Sequence, residues 1–372
     1  MKINTIKKTF LILLLLATAI PLYAQNSNIH RARVLEVVKE ENSTILEEFN
    51  KGGIDSLNQT LSTEIIDGPE KGKKVELEND YIRLEKNDVF FIEKGDLDGE
   101  AIYSVKERDR QIPILLLFLI FGIIIVVFSG KQGLRSILSL TGSFLVIGYV
   151  LLPLLIKGYS PMLVSIVVAS IILFFAIYFT HGFNRESSVA FSGTIISVVL
   201  TGVLAVFSVW LMNLTGFDSD EATYLQVSSA IKLNFHGLLL GGVLIGVLGI
   251  LDDIAVTQAA VVSEIYQSAS HLKPKEVYKK AMRVGKEHVS ALVNTLVLAY
   301  AGASLPLLLL FSSSEYSWRL IISSELFSTE IVRTMVGSIG LVLTVPITTL
   351  LAVYFLRGYK GKSALGHHGH SH

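Results

Sequence analysis

The chain has no cysteine among its 372 residues. Disulfides, thiolate metal sites and a cysteine nucleophile are therefore excluded, and chemistry must come from carboxylates, hydroxyls, amides or histidines. Charge is scarce too: Asp, Glu, Lys and Arg make up 17% of the residues and balance to a net charge of zero. No long basic run breaks that balance, so the electrostatic footprint of nucleic-acid binding is missing. What is abundant is hydrocarbon. Hydrophobic residues make up 51% of the chain and the mean hydropathy is +0.55, more apolar than a soluble globular protein of this length. The composition is that of an integral membrane protein.

Residues 1–24 have the three parts of a secretory signal: Lys2, Lys7 and Lys8, then the apolar run FLILLLLATAI, then Pro21 and a cleavage position after Ala24. Leu22, three residues before that position, is larger than ideal, which leaves an uncleaved anchor as the alternative. Residues 25–111 change character abruptly. The strand-like runs RARVLEVVK, STEII, KKVELEN, VFFIEKG and AIYSVKE alternate polar and apolar residues between Gly- and Asp-rich turns. They predict a small all-β domain of about five strands, an OB-like barrel or sandwich. No nucleophile and base are paired in it, so binding or spacing fits it better than catalysis, and lone His30 reads as a surface or hydrogen-bonded residue.

Residues 112–358 read as membrane. Seven apolar runs, about 112–128, 137–156, 161–180, 188–212, 235–258, 289–310 and 332–356, predict a seven-helix all-α bundle, several runs being long enough to cross about 30 Å of hydrocarbon. Basic residues fall in alternate connections: Lys131 and Arg135, then Arg185, then Lys273, Lys275, Lys279, Lys280, Arg283 and Lys286, then Arg357, Lys360 and Lys362 after the last run. Positive charge marks the cytoplasmic side, so the sequence predicts a multi-pass protein of the bacterial cytoplasmic (inner) membrane with the β domain outside and the C-terminus inside. The signal points the same way. Two outer connections, FDSDEATYLQVSSAIKLNF and SSSEYSWRLIISSELFSTE, have spacings that suit interfacial helices.

The fifth run carries two adjacent acids, Asp252 and Asp253, in GLLLGGVLIGVLGILDDIAVTQAAVV. An ionised Asp in hydrocarbon costs about 2.5–3.5 kcal/mol on insertion scales, so such a pair is a site hypothesis. Gly242, Gly246, Gly249, Asp253, Thr257, Ala260 and Glu264 share one helical face, and small residues on a face let another helix approach. This predicts that Asp253 points into protein as a buried relay or ligand, with Asp252 about 100° around the helix as a gate or as the cap of a second helix beginning at Ile254. Thr257 and Gln258 supply further oxygens, as do Asn294 and Thr295 of the sixth run. Ordinary interhelical hydrogen bonds are the simpler reading of each. His181, His236, His271 and His288 fall near predicted helix ends, and the residues 359–372 form a His-rich cytoplasmic tail. There His367, His368, His370 and His372 are weak metal candidates. Nothing calls for a cofactor.

The segment LGILDDIAVTQAAVVSEI, followed by a basic amphipathic connection, resembles the signature of the YibE/F family of bacterial multi-pass membrane proteins. ARVLEVVKEE, STEIIDGPEKGKKVELEN and YSVKERDRQIP resemble the N-terminal region of the same family. That resemblance brings no established substrate or reaction. A remoter similarity links the last three helices, through VSALVNTLVLAYAGASLPLLLLF and VGSIGLVLTVPITTLLAVYFL, to the permease domains of SecD and SecF and of the resistance-nodulation-division (RND) superfamily. It places Asp252 or Asp253 where those proteins carry a proton-relay acid. The chain departs from that pattern in having no large exported domain between the runs at 137 and 161 and no intramembrane Lys partner.

Two functions follow as expectations. One is a proton- or cation-coupled transporter or export accessory using the acid pair. The other is a non-catalytic envelope assembly or scaffold protein that binds a protein partner through residues 25–111. An enzyme is not expected, since an aspartyl hydrolase needs two carboxylates converging on one water, and adjacent acids on one helix diverge. Gly-rich faces suit packing within the chain and homo-oligomers alike.

Overall fold

The computed structural model describes residues 28–43, 56–97, 100–228 and 233–359. The signal segment and the histidines of the tail lie outside these residues. Two compact units divide the chain, Met1–Gly130 and Lys131–His372.

In the first unit the alternating runs form five strands: β1 (Ile29–Ser43), β2 (Ser56–Ile65), β3 (Lys74–Asn79), β4 (Val89–Leu97) and β5 (Glu100–Arg108). They make one antiparallel sheet in the order β3-β2-β1-β4-β5. The register pairs Ala32 with Ile65 on one side and with Phe90 on the other. Because side chains alternate between faces, Ala32 and Val34, Leu61 and Ile65, and Phe90 and Ile92 all fall on the inner face and are buried. Irregularities in register near Glu36, Lys39 and Ile92 bend the strands. The sheet curls into a half-barrel whose edge strands β3 and β5 approach without pairing. Gln59 and Asn79, both buried, satisfy each other and the backbone. Asn79 Nδ2 donates to Gln59 Oε1 at 2.9 Å, and Gln59 binds both the carbonyl and the N–H of Leu84, each at 3.0 Å. His30 is also buried, covered by Gly68, whose φ of +75° no β-carbon would tolerate in that space.

Helices follow. The first two apolar runs lie in one helical stretch of 46 residues: α1 (Gln111–Val146), a π-helical turn (Ile147–Leu151) and α2 (Leu152–Ile156). Its backbone leaves helical values at Gly130 (φ 58°, ψ −131°). Then come α3 (Pro161–His181), α4 (Arg185–Met212), α5 (Asp220–Ser228), α6 (Phe235–Ser268), α7 (Pro274–Ala303), α8 (Leu305–Ser312), α9 (Trp318–Ser323) and α10 (Glu325–Phe355). Among the described residues five helices are long and apolar enough to cross a membrane, or six if α7 and α8, bent by 63°, count as one pass. The bend falls at Ser304, where Pro306 cannot donate a backbone bond to the turn before it. The two long outer connections contain α5 and α9, helical as their spacing suggests.

In the second unit α6 packs against α3, α4, α7 and α10, and α10 packs against α4 and α7. Apolar side chains Leu244, Val247, Leu248, Leu251 and Ile254 of α6 fill the centre with Val168 and Leu173 of α3 and Leu341 and Val345 of α10. Glycine sets the closest approaches. A β-carbon on Gly193 of α4 would overlap Thr348 of α10, and one on Gly340 of α10 would overlap Thr201 of α4.

Candidate functional site

The acid pair lies in the unbroken interior of α6, which runs from Phe235 to Ser268. Of the two roles weighed for Asp252, the cap of a second helix at Ile254 is overturned: the apolar run after the acids keeps the helix going as far as Ser268. Asp252 is partly buried, and its Oδ1 is shut off from solvent with no hydrogen-bond partner. Asp253 is exposed. The order of burial is therefore the reverse of the expected one.

The glycine stripe explains the reversal. Gly242, Gly246, Gly249, Asp253, Thr257, Ala260 and Glu264 do share one face, but that face is turned away from the bundle centre. A β-carbon on Gly242 or Gly249 would meet nothing within 4 Å, and one on Gly246 only Tyr300 Oη at 3.0 Å. The branched side chains on the opposite face gain most from burial, so they turn inward and the glycines turn out. Close contacts of α6 fall on other glycines. A β-carbon on Gly237 would stand 2.9 Å from Pro161 Cδ, and one on Gly241 would overlap Ser165 Oγ.

Around Asp253, His181 at the end of α3 and His288 on α7 stand close enough to act on its charge. His288 was expected near a helix end; it lies well inside α7, because the basic connection and the sixth run form one helix. Thr257 and Asn294 point away from the bundle seam and hold no partner across it. Gln258 is buried and ties three helices together, since its Nε2 donates to the Ala281 carbonyl of α7 at 3.0 Å and to Thr349 Oγ1 of α10 at 2.8 Å. The structure thus leaves His181 and His288 within electrostatic reach of Asp253, and takes Gln258 into the bundle seam. Among the described residues no group of three or more His, Asp or Glu comes together to hold a metal ion.

Two features escaped the sequence reading. One is a ladder of small and hydroxyl residues between α4 and α10, Gly193, Ser197 and Thr201 against Gly340, Thr344 and Thr348, all buried. Its signal is present as GxxxSxxxT and GxxxTxxxT, read in opposite directions. Ser197, Thr201 and Thr344 each donate to the carbonyl four residues back, at 2.7 to 2.8 Å, which keeps their outer surface compact. Thr348 Oγ1 alone in the ladder has no partner. The other is a polar cluster near the start of α10. Arg333 binds Glu330 at 2.5 Å and Asp218 at 3.5 Å, Ser304 donates to Glu330 at 3.1 Å, and Glu325 accepts from the Thr215 and Gly216 amides at 2.6 and 2.8 Å. Burial holds the Asp218 carboxyl above its ordinary range, an effect that Arg333 opposes. Such a cluster depends on the pairing of residues far apart in sequence, which no local pattern announces.

A half-barrel β unit followed by a helical unit of long apolar helices, with an acid pair inside one of them, defines a multi-pass membrane protein with an appended β domain. The family described as YibE/F-like protein matches residues 117–358, and the chain belongs to that family. No curated protein and no solved structure matches the chain significantly.

Proposed function

We propose that the chain is a proton- or cation-coupled transporter or export accessory that works through Asp252 and Asp253. The observation that carries this reading is Asp252 Oδ1, enclosed inside an apolar helix with no hydrogen-bond partner. An acceptor left without a donor in such surroundings costs about 1–3 kcal/mol, and more for a charged group, so the position favours a carboxylate that exchanges a proton or receives a cation. Asp253, exposed one residue on, provides the step to the surroundings, with His181 and His288 within electrostatic reach. The acids stand about 26–27 Å along α6 from Phe235 at about 1.5 Å per residue, toward the cytoplasmic side in the predicted topology.

In this reading the chain crosses the bacterial inner membrane seven times. Residues 111–129 and 131–156, on either side of Gly130, are about 29 and about 39 Å long at about 1.5 Å per residue, each close to or above the thickness of hydrocarbon, so they count as two passes. The OB-like half-barrel then lies outside and the C-terminus inside. No catalytic role is assigned to any residue. The test is proton or cation flux in proteoliposomes with Asp252→Asn, Asp253→Asn and the double variant. Flux that falls at least tenfold in the double variant supports the reading, and unchanged flux sinks it.

A second reading rests on the β unit. Its edge strands β3 and β5 are not paired with each other, and unpaired edges accept an added strand from a partner. In an envelope scaffold, cross-linking from β3 or β5 recovers one dominant protein and the double Asn variant is harmless.

A further inference from the structure

We infer that the second unit carries a binding site for an anionic phospholipid between Arg135 of α1 and the aromatic end of α3. A cavity of about 340 Å³ lies there, walled by Phe174, Phe175, Tyr178, Phe179 and Phe183, with Arg135 at its edge. The wall is built by the chain. Gly182 ends α3 with φ 82° and ψ 169°, backbone values open to glycine and to few other residues. Phe183 is thereby laid on Tyr178, ring centroids 4.6 Å apart and planes 14° from parallel. Phe174 meets Phe183 edge-on at 6.0 Å, which extends the surface. Tyr178 Oη is held by Ser188 Oγ at 3.2 Å, so the ring is anchored from both sides.

The chemistry of the occupant follows from what lines the cavity. Arg135 has no hydrogen-bond or ion-pair partner among the described residues, and no carboxylate lines the cavity beside it. A guanidinium free of carboxylates is suited to bidentate binding of a phosphate. The aromatic wall, exposed and apolar, suits a glycerol backbone and the first methylenes of acyl chains, as aromatic residues do at membrane interfaces. Arg135 belongs to the first connection and Arg185 to the third, both of which the predicted topology makes cytoplasmic, so the cavity opens in that leaflet. A free phosphate would leave the wall bare, and in phosphatidylcholine the choline cation already answers the phosphate charge, so Arg135 gains less from it than from an anionic head group.

The inference rests on the membrane reading and is independent of transport. Full-length protein in mixed micelles is titrated with phosphatidylglycerol or with phosphatidylcholine, and bound lipid is counted by native mass spectrometry. Phosphatidylglycerol is expected to be preferred, and Arg135→Gln to reduce that preference about fivefold, the effect of one basic residue at a membrane surface. Arg135→Lys retains part of it. Phe183→Ala weakens both lipids alike, and Lys275→Gln, which removes an exposed charge from the same side, changes nothing. Equal preference in wild type and Arg135→Gln overturns the site, as does an equal loss in Arg135→Gln and Lys275→Gln, which marks diffuse attraction to a basic surface. A chain that takes up neither lipid overturns the membrane reading and this site with it.

Discussion

One substitution made at two places in the bundle has opposite expected outcomes. Gly193→Ala in α4 puts a methyl group into overlap with Thr348 Oγ1 of α10 and at 3.1 and 3.2 Å from its Cβ and Cγ2. Overpacking of this kind costs about 1–3 kcal/mol, from which the helix propensity of Ala returns about 1 kcal/mol, for a net loss of about 0–2 kcal/mol. Gly249→Ala in α6 meets nothing within 4 Å, so it keeps the whole propensity gain, about 1 kcal/mol. The two variants therefore differ by about 1–3 kcal/mol although the chemistry is identical. Thr348→Ala removes two of the contacting atoms, Cγ2 and Oγ1, the latter a hydroxyl that has no partner. Combined with Gly193→Ala it should recover at least about 1 kcal/mol, a coupling of the size seen between residues in contact. The reciprocal pair, Gly340→Ala with Thr201→Ala, should behave in the same way, because Thr201 Cγ2 and Cβ stand 3.1 and 3.2 Å from the new methyl. The assay is unfolding in mixed micelles titrated with dodecyl sulfate, followed by the fluorescence of Trp210 and Trp318. If Gly193→Ala is as stabilising as Gly249→Ala, or if Thr348→Ala fails to rescue it, the α4–α10 ladder is not packed as described. A destabilising Gly249→Ala would instead show that the outward stripe is covered, by a second copy or another chain.

Three more expectations concern polar groups. Gln258→Ala should cost about 2 kcal/mol, since it opens a cavity and removes two interhelical bonds, whereas Gln258→Met should cost under about 1.5 kcal/mol because volume is kept; unfolding of each in micelles separates them. On the β unit, Lys94 and Tyr103 hydrogen bonds hold Glu70 at about 2, well below its ordinary 4.5. A carboxyl lowered in the folded state stabilises above its unfolded value, and that contribution is lost as pH falls from about 4.5 toward about 2. Hydrogen exchange of β4 and β5 amides should therefore differ between wild type and Glu70→Gln at pH 6 and converge by about pH 2, intrinsic rates cancelling at each pH; a constant difference would refute the assignment. Arg333→Gln should cost about 1–2 kcal/mol at pH 7, since it leaves Glu330 and the half-buried Asp218 without a counter-charge. Burial raises Asp218, so protonation at lower pH removes part of that need, and the loss measured by thermal unfolding should shrink on acidification.

What was legible in the sequence follows physical range. The five strands were readable because a half-buried sheet imposes a period of two, and Val34, Leu61, Phe90 and Ile92 obey it. The long helices were readable because hydrocarbon demands unbroken apolar runs. The pass count was harder, because two helices meet at Gly130, whose backbone leaves helical values for one residue only, and α7 and α8 meet at a bend of 63°. On α6 the periodicity gave the correct face for the glycines and Asp253. It could not say which way the face turned. That was decided by competition with Leu244, Val247, Leu248 and Leu251, whose burial against α3 and α10 outweighs any packing advantage of glycine. The GxxxSxxxT and GxxxTxxxT stripes carried the stronger packing signal, because two such stripes can answer each other across one seam.

The inversion of the acid pair changes what each residue can contribute. A carboxylate on an exposed helix face has water, ions or lipid head groups to answer its charge, and its presence in the chain costs little once the face lies near an interface. Asp253 is in that position, with two histidines within electrostatic reach. Asp252 is not, for one of its oxygens is enclosed by the bundle and finds no donor among α6 and its neighbours. Folding α6 around Asp252 is tolerable only if the energy is recovered by the apolar packing on either side, from Leu248 and Leu251 before it to Ala255 and Ala259 after it. Asp252 stands beside a second acid that opens outward. A helix cap at this place is ruled out by the unbroken helix, and in the proposed function a proton or cation would be handed between the enclosed oxygen and the accessible one, over the spacing of a single residue.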